Sequence, residues 1–411
     1  MTGREPERNT ETETETDDGG GGADWRIDTT AIRAGRQHSD TSLAPVIWPS
    51  TTYFNPSVAE QFKLATAAHP SKFYARNGSP TVAQFEEAVA HIEGAEAALA
   101  FGSGMGAIAS VVLTFCSTGD HVVTQDRMFS VTSQLFTTLC PRLGIDVTFV
   151  DATSPQALTA AVRPGKTQLV FVETPANPGL DIVDLEAVGG IRGPFTVVDS
   201  TFATPIVQRP LDFGVDLVVH AATKGIAGHN DAMLGVIAGA RDLIDAVWGH
   251  HLIHGAVASP FDAWNGLRGI RTLAVRVERQ SASAQRLASF LESHPAVARV
   301  MYPGLDSHPQ RAVATRQMAS GGTMLTFDLV GGLEAGRRFV EGVRIAQVAP
   351  SLGGPETLVV HPTTMTAATL RPEERAAMGI GEGMIRVSVG LEHPDDIIAD
   401  FEHALSGLSL P

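Results

Sequence analysis

Two cysteines in 411 residues are too few for a disulfide framework or a cysteine-based metal site. Cys116 and Cys140 both sit in apolar stretches, so they read as buried thiols in a reducing compartment. Long apolar runs are also lacking. No stretch approaches the roughly eighteen residues that a bilayer-spanning helix needs. Positive charge is short as well: 30 Lys and Arg face 45 Asp and Glu, for a net charge of -15. The first 24 residues hold eight acids and two arginines, so the remainder lies near -9. That balance argues against a nucleic-acid binder, which needs a basic face to neutralise phosphates. Residues 1–24 contain no apolar run of the kind a secretory leader carries, and the expectation is a cytoplasmic protein.

Lysine is scarcer than acid chemistry alone would suggest. Only Lys63, Lys72, Lys166 and Lys224 occur, and arginine supplies nearly all the positive charge. Arginine cannot serve as a nucleophilic amine because its guanidinium stays protonated. Each remaining lysine therefore invites a reason.

What is present is ordinary globular material, 43% hydrophobic and 18% charged, and long enough for two domains. The acidic, low-complexity residues 1–24 read as a disordered tail. Residues 25–79 are rich in Pro, Ser and Thr and read as an extended arm. Val82–Leu99 has the apolar spacing of an amphipathic helix, at Phe85, Val89, Ile92 and Ala95. Strand-like runs follow at His121–Thr124, Asp146–Val150, Gln168–Glu173, Phe195–Asp199 and Asp216–His220, separated by helical segments. Short, continuously apolar runs of this kind predict an α/β fold with a mostly parallel sheet covered on both faces. A long helix is expected over Arg268–Glu292, then a smaller α+β portion with strands near Thr323–Leu329 and Ile385–Val389. The expected division is a domain over 80–275 and a C-terminal domain over 276–411.

Lys224 follows directly on the run ending at His220, which puts it just past the C-terminal end of a buried strand. A lone lysine in such a loop is most often a surface residue. Here Gly225, Gly228, His229 and Asn230 come next, a turn with little apolar anchoring, and a desolvated amine there suits a nucleophile and proton shuttle. Asp199 ends the preceding strand. By itself it reads equally as a helix N-cap or as the partner of a protonated ring nitrogen. Gly102-Ser103-Gly104-Met105-Gly106 opens an apolar helix, where backbone N–H groups suit a phosphate. Tyr74 and Arg76 could add a phenol and a guanidinium. His250, His251 and His254 resemble a metal cluster, but their helical setting beside Trp248 favours packing, and no metal is expected.

Taken together these pieces resemble the Cys/Met-metabolism family of fold-type I pyridoxal-phosphate enzymes, the cystathionine γ-synthase and γ-lyase group. The shared motifs are Tyr74-Ala-Arg76, Ser103-Gly104-Met105, Glu173-Thr-Pro-Ala-Asn177-Pro178, Val198-Asp199-Ser-Thr-Phe-Ala-Thr-Pro205, Thr223-Lys224, Gly228-His229, Ser351-Leu-Gly-Gly354, Met365-Thr366 and Arg386-Val-Ser-Val-Gly-Leu-Glu392. The resemblance spans about Thr30 to Leu405. It implies that pyridoxal phosphate is held as a Schiff base on Lys224, with Asp199 at the ring nitrogen and Thr201 beside it. Gly104, Met105 and Thr223 would hold the phosphate, with Tyr74 and Arg76 contributed by a neighbouring subunit. Arg386 would clamp the substrate carboxylate, assisted by Ser351, Asn177 and Thr366. The family also implies a homo-oligomer, a dimer of dimers, with the arm reaching across subunits.

The departures matter as much. Phe129 stands where the family usually has a tyrosine stacked on the cofactor, so the ring is kept and the phenol lost. Ala221 replaces a serine, Pro350 a glutamate and Gln134 an arginine. The expected reaction is γ-elimination or γ-replacement on an L-amino acid whose Cγ substituent leaves without protonation: a halide, ester or sulfonium in preference to a thiolate. The alternatives are β-elimination or β-replacement on a cysteine-like substrate, and a degenerate, non-catalytic member.

Overall fold

A computed structural model of the chain describes residues 25–36 and 41–408; the acidic stretch expected to be disordered, 1–24, lies outside the described residues. Seven strands make one sheet: β1 (Ala97–Phe101), β2 (His121–Gln125), β3 (Asp146–Val150), β4 (Thr167–Glu173), β5 (Phe195–Asp199), β6 (Leu217–His220) and β7 (Gly235–Gly239). Their order is β1-β7-β6-β5-β4-β2-β3. Every neighbouring pair is parallel except those of β7, which runs against both β1 and β6. Alternate residues of the central strands enter different cores. Val218 packs under the helix Pro80–Glu93, whereas Leu217 and Val219 pack under the helix Gly104–Phe115. Both faces are covered, which is why these strands read as unbroken apolar runs.

The expected strands coincide with β2 to β6 to within a residue at either end. Two elements differ. The helix expected over Val82–Leu99 spans Pro80–Glu93 and stops at Gly94, whose left-handed backbone (φ 70) turns its N–H onto the last helical carbonyls. The alanine-rich residues after it suit either a helix or a strand, and pairing with β7 decides for β1. The helix expected over Arg268–Glu292 is two helices, Pro260–Ile270 and Leu273–Glu292, broken at Arg271 and Thr272.

A second sheet contains β8 (Val297–Met301), β9 (Met324–Leu329), β10 (Gln347–Val348), β11 (Leu358–Val360) and β12 (Met384–Ser388), ordered β10-β11-β12-β9-β8. Only β10 and β11 are parallel. Its core is built round Phe327, Phe339 and Phe401. The helix Leu273–Glu292 locks the sheets together, with Leu273 and Val277 in one core and Ala284, Leu287 and Leu291 in the other. The arm holds two short helices, Ile27–Arg33 and Val58–Thr66; the second buries none of its residues.

The turn before Gly104 is pressed against the start of β7. A Cβ on Gly235 would lie 2.1 Å from the Ser103 carbonyl oxygen, a backbone atom with no freedom to yield. Gly235→Ala is expected to cost about 1–3 kcal/mol by overpacking, read as a lower denaturant midpoint with unchanged slope.

Candidate active site

The C-terminal ends of β4, β5 and β6 deliver three functional groups to one sheet edge, the position where open α/β sheets place ligands. Glu173 and Asp199 are Cα partners at the ends of adjacent parallel strands. Lys224 follows β6, which pairs with β5. Arg386 reaches the same place from β12 of the second sheet. All four line a cavity of about 220 Å³.

Lys224 Nζ donates to Ser351 Oγ at 2.8 Å. Ser351 holds that position with φ 95, a left-handed backbone that is strained for a residue with a Cβ. Burial, and then the Arg386 charge, pull the lysine pKa down to about 8. Asp199 Oδ1 accepts from Thr201 N at 3.0 Å and Thr201 Oγ1 at 2.6 Å. The same hydroxyl accepts from Ala221 N at 2.8 Å, which ties the end of β5 to the turn that carries the lysine. Burial pushes the Asp199 carboxyl above its usual range, against the pull of the Thr201 hydrogen bonds.

Arg386 is 5% exposed. Its Nη1 donates to Asn177 Oδ1 and its Nη2 to the Ser351 carbonyl, each at 3.0 Å. Its buried Nε has no partner among the described residues. A buried guanidinium that lines a cavity and keeps an unsatisfied donor is suited to a carboxylate. Glu173, pushed up to about 8 by burial and by Asp199, accepts from the backbone N–H groups of Phe129 and Asn177.

Phe129, Asn177, Thr201, Ser351 and Thr366 line this cavity as well. So do three of the departures from the family pattern: Phe129, Ala221 and Pro350; Gln134 is not among the lining residues. Gly104, Met105 and Thr223 stand just behind it. Gly104 begins the helix Gly104–Phe115, whose cap Ser103 accepts from Gly106 N at 3.0 Å. A Cβ on Gly104 would sit 2.6 Å from the Ala221 Cβ, so the helix N-terminus abuts the lysine turn. Thr223 Oγ1 is engaged with the backbone of Leu234. Tyr74 and Arg76 are not brought to this cavity within the chain. Tyr74 is 41% exposed, with the Arg76 guanidinium 5.2 Å from its ring. Among the described residues no group of His, Cys, Asp or Glu could hold a metal ion. His254 instead bonds Ser110, and His251 packs on Phe101.

Sequence reasoning missed Arg276. It is 4% exposed, and its guanidinium donates to the carbonyls of Gly225, Ile226 and Gly269. Gly228, at φ 68, has no room for a side chain because a Cβ there would lie 1.9 Å from Arg276 Nη1. The turn after Lys224 is therefore wrapped round a buried cation. A signal existed: Leu273, Val277, Gln280 and Ala284 follow helical spacing, and Arg276 falls on that buried face.

Two outcomes follow from this geometry. Lys224 is neutral above about pH 8 instead of above the usual lysine value of 10.5, so the rate at which an amine-directed reagent labels it should rise with pH and level off above about 8. Peptide mapping of the labelled cofactor-free protein measures this. Arg276→Met leaves the Gly225 and Ile226 carbonyls without their donor, while Gly269 keeps the Thr272 N–H, and should cost about 2–5 kcal/mol, read by thermal melting.

The Cys/Met metabolism PLP-dependent enzyme family model matches residues 28–406. An L-methionine gamma-lyase of Porphyromonas gingivalis is 41% identical over 387 residues, covering 92% of this chain and 97% of that protein. An O-succinylhomoserine sulfhydrylase of Pseudomonas aeruginosa is 40% identical, covering 93% and 95%. A cystathionine gamma-lyase of Dictyostelium discoideum is also 40% identical, covering 93% and 98%. Among solved structures, the crystal structure of metB from Corynebacterium glutamicum superposes with a TM-score of 0.87 at 35% identity, covering 94% of this chain and 99% of that one. The match extends from the arm through both sheets to the last helix, and the chain belongs to the Cys/Met metabolism family of pyridoxal-phosphate-dependent lyases and transferases.

Proposed function

We propose that the enzyme carries out γ-elimination or γ-replacement on an L-amino acid whose Cγ substituent leaves without being protonated, such as a halide, an ester or a sulfonium. The observation that carries this reading is the composition of one cavity. It offers an amine, a buried carboxylate and a guanidinium with an unused donor, while Phe129 contributes a ring with no proton to give.

The residues present fit pyridoxal phosphate. Lys224 would hold it covalently and Asp199, buried and fixed by Thr201, would face its ring nitrogen. The Ser103–Gly106 turn with Met105 and Thr223 would take the phosphate at a helix N-terminus, where the close approach to Ala221 leaves no room for a side chain at Gly104. Bound there, the cofactor supplies an electron sink that stabilises negative charge at Cα.

Arg386 orients the substrate by its α-carboxylate, with Asn177 and the Ser351 carbonyl fixing the guanidinium. Thr366 lines the same end. The Lys224 amine, its pKa lowered to about 8, takes the Cα proton, relays it onward and, neutral again, takes the proton from Cβ. Loss of the Cβ proton expels the Cγ substituent with its bonding pair. A thiolate or hydroxide leaves poorly without an acid beside it, whereas an ester or sulfonium does not need one. The apolar walls formed by Phe129, Phe202, Pro350 and Leu352 give the departing group no charged partner. The relatives at 40–41% identity are named for thioether and ester substrates alike, so similarity leaves the leaving group open.

The arm over 25–79 supports a homo-oligomer, a dimer of dimers on the family pattern. Leu43, Phe54, Val58 and Phe62 stand 80%, 94%, 87% and 67% exposed, an apolar surface suited to a second copy. Tyr74 and Arg76, outside their own chain's cavity, would complete the phosphate site of that copy. Residues 80–275 would carry the cofactor and 276–411 the carboxylate clamp. A cytoplasmic location fits two buried free thiols.

A panel of γ-substituted amino acids, followed by product mass, tests the reading. O-acyl, halo and sulfonium substrates should turn over faster than methionine or cystathionine; equal or faster turnover of those two thioethers would contradict it. Phe129→Tyr restores a phenol, and its kcat for thioether substrates should rise by roughly 10²-fold, the usual worth of a positioned acid, with little change for esters.

A further inference from the structure

Glu173 takes no part in the reaction just described, yet it is 4% exposed on the wall of the reacting cavity. A carboxylate confined beside Asp199 is a costly element if it serves only the fold. Apolar side chains of similar volume usually replace buried charges without loss. Its hydrogen bonds are specific. Oε1 accepts from Asn177 N at 2.6 Å and Oε2 from Phe129 N at 3.1 Å. Asn177 in turn accepts from Arg386 Nη1 at 3.0 Å through its side-chain oxygen. One line of contacts thus runs from the guanidinium through Asn177 to the Glu173 carboxylate and on to the backbone that aims the Phe129 ring.

We propose that Glu173 is a positioning residue that couples the two ends of the active site, so that a carboxylate bound at Arg386 is felt at the Phe129 ring. The inference rests on the reading of Arg386 as the carboxylate clamp and of Phe129 as the ring beside the cofactor. With no phenol at position 129, the placement of the ring is all that this side chain contributes. That placement is set from the backbone, and the group that holds the backbone is Glu173. A carboxyl group that accepts a backbone N–H at each of its two oxygens is a stiff joint, since neither oxygen can move without losing a bond. Binding energy gained at the clamp is then shared with the wall over the cofactor, in proportion to the difference in contacts between the free and liganded arrangements.

The test uses holoenzyme and α-methylmethionine, an amino acid with no Cα proton to lose. Glu173→Gln keeps the volume but can accept only one of the two N–H groups at its amide oxygen. Its visible circular dichroism, which reports the surroundings of the bound cofactor, should differ from wild type before any ligand is added. Its affinity for α-methylmethionine should fall roughly ten- to hundredfold, the worth of a buried N–H left without its acceptor. Asn177→Ala breaks the line on the clamp side alone: affinity should fall while the unliganded dichroism stays as in wild type, and the ligand-induced change in dichroism should shrink. Wild-type dichroism and affinity in Glu173→Gln would overturn the proposal. If that variant does not fold, an undiminished ligand-induced change in Asn177→Ala overturns it by itself. None of these readouts needs turnover. Failure of every γ-substituted substrate would refute the proposed reaction and leave this coupling standing.

Discussion

Burying two carboxylates, an amine and a guanidinium round one cavity is the constraint on which the rest of the structure depends. Glu173, Asp199, Lys224 and Arg386 could not be desolvated singly, because an isolated buried charge costs far more than a paired one. Only Glu173 and Arg386 attract each other; Asp199 repels Glu173 and Arg386 repels Lys224, so each group shows the cost of its position. Lys224 is pulled down to about 8, Glu173 is pushed up to about 8, Asp199 is raised and Arg386 is pulled down to about 10. Perturbed groups gathered in a cleft mark a candidate active site.

The architecture meets that constraint in two steps. Adjacent parallel strands end level with one another, which sets Glu173 beside Asp199 and brings Lys224 in from the next strand. The fourth group comes from a different sheet, so the two sheets must be held in fixed relation. The helix Leu273–Glu292 does this by entering both cores, and from its middle Arg276 also gathers the carbonyls of the lysine turn. One helix therefore ties Arg386, the proposed clamp, and Lys224, the proposed nucleophile, into a single frame.

Much of this was legible in the residues. Strands ending in Glu173, Asp199 and His220 stand out because both sheet faces are covered and the runs are apolar throughout. Family motifs then supplied Arg386, Ser351 and Asn177, which no periodicity singles out, since their meeting depends on contact between the two sheets. The edge elements were harder. Ala97–Phe101 continues a helical pattern and becomes strand only by pairing, while Gly235–Gly239 is too small and glycine-rich to announce a strand. Arg276 was overlooked because its charge reads as a surface residue, although its position on the apolar face of the helix Leu273–Glu292 marks it as buried. The role of Glu173 was equally hidden: its motif was visible, and its two backbone partners were not.

Family membership fixes the cofactor, and three of the four departures, Phe129, Ala221 and Pro350, line the cavity proposed for the substrate. The account nevertheless turns on a single amine. Borohydride reduction of holoenzyme followed by peptide mapping measures it directly. The account predicts one pyridoxyl adduct, on the peptide containing Lys224, and none after Lys224→Ala. An adduct on Lys63, Lys72 or Lys166 in the native protein, or a bound cofactor that reduction never fixes to the chain, would contradict it.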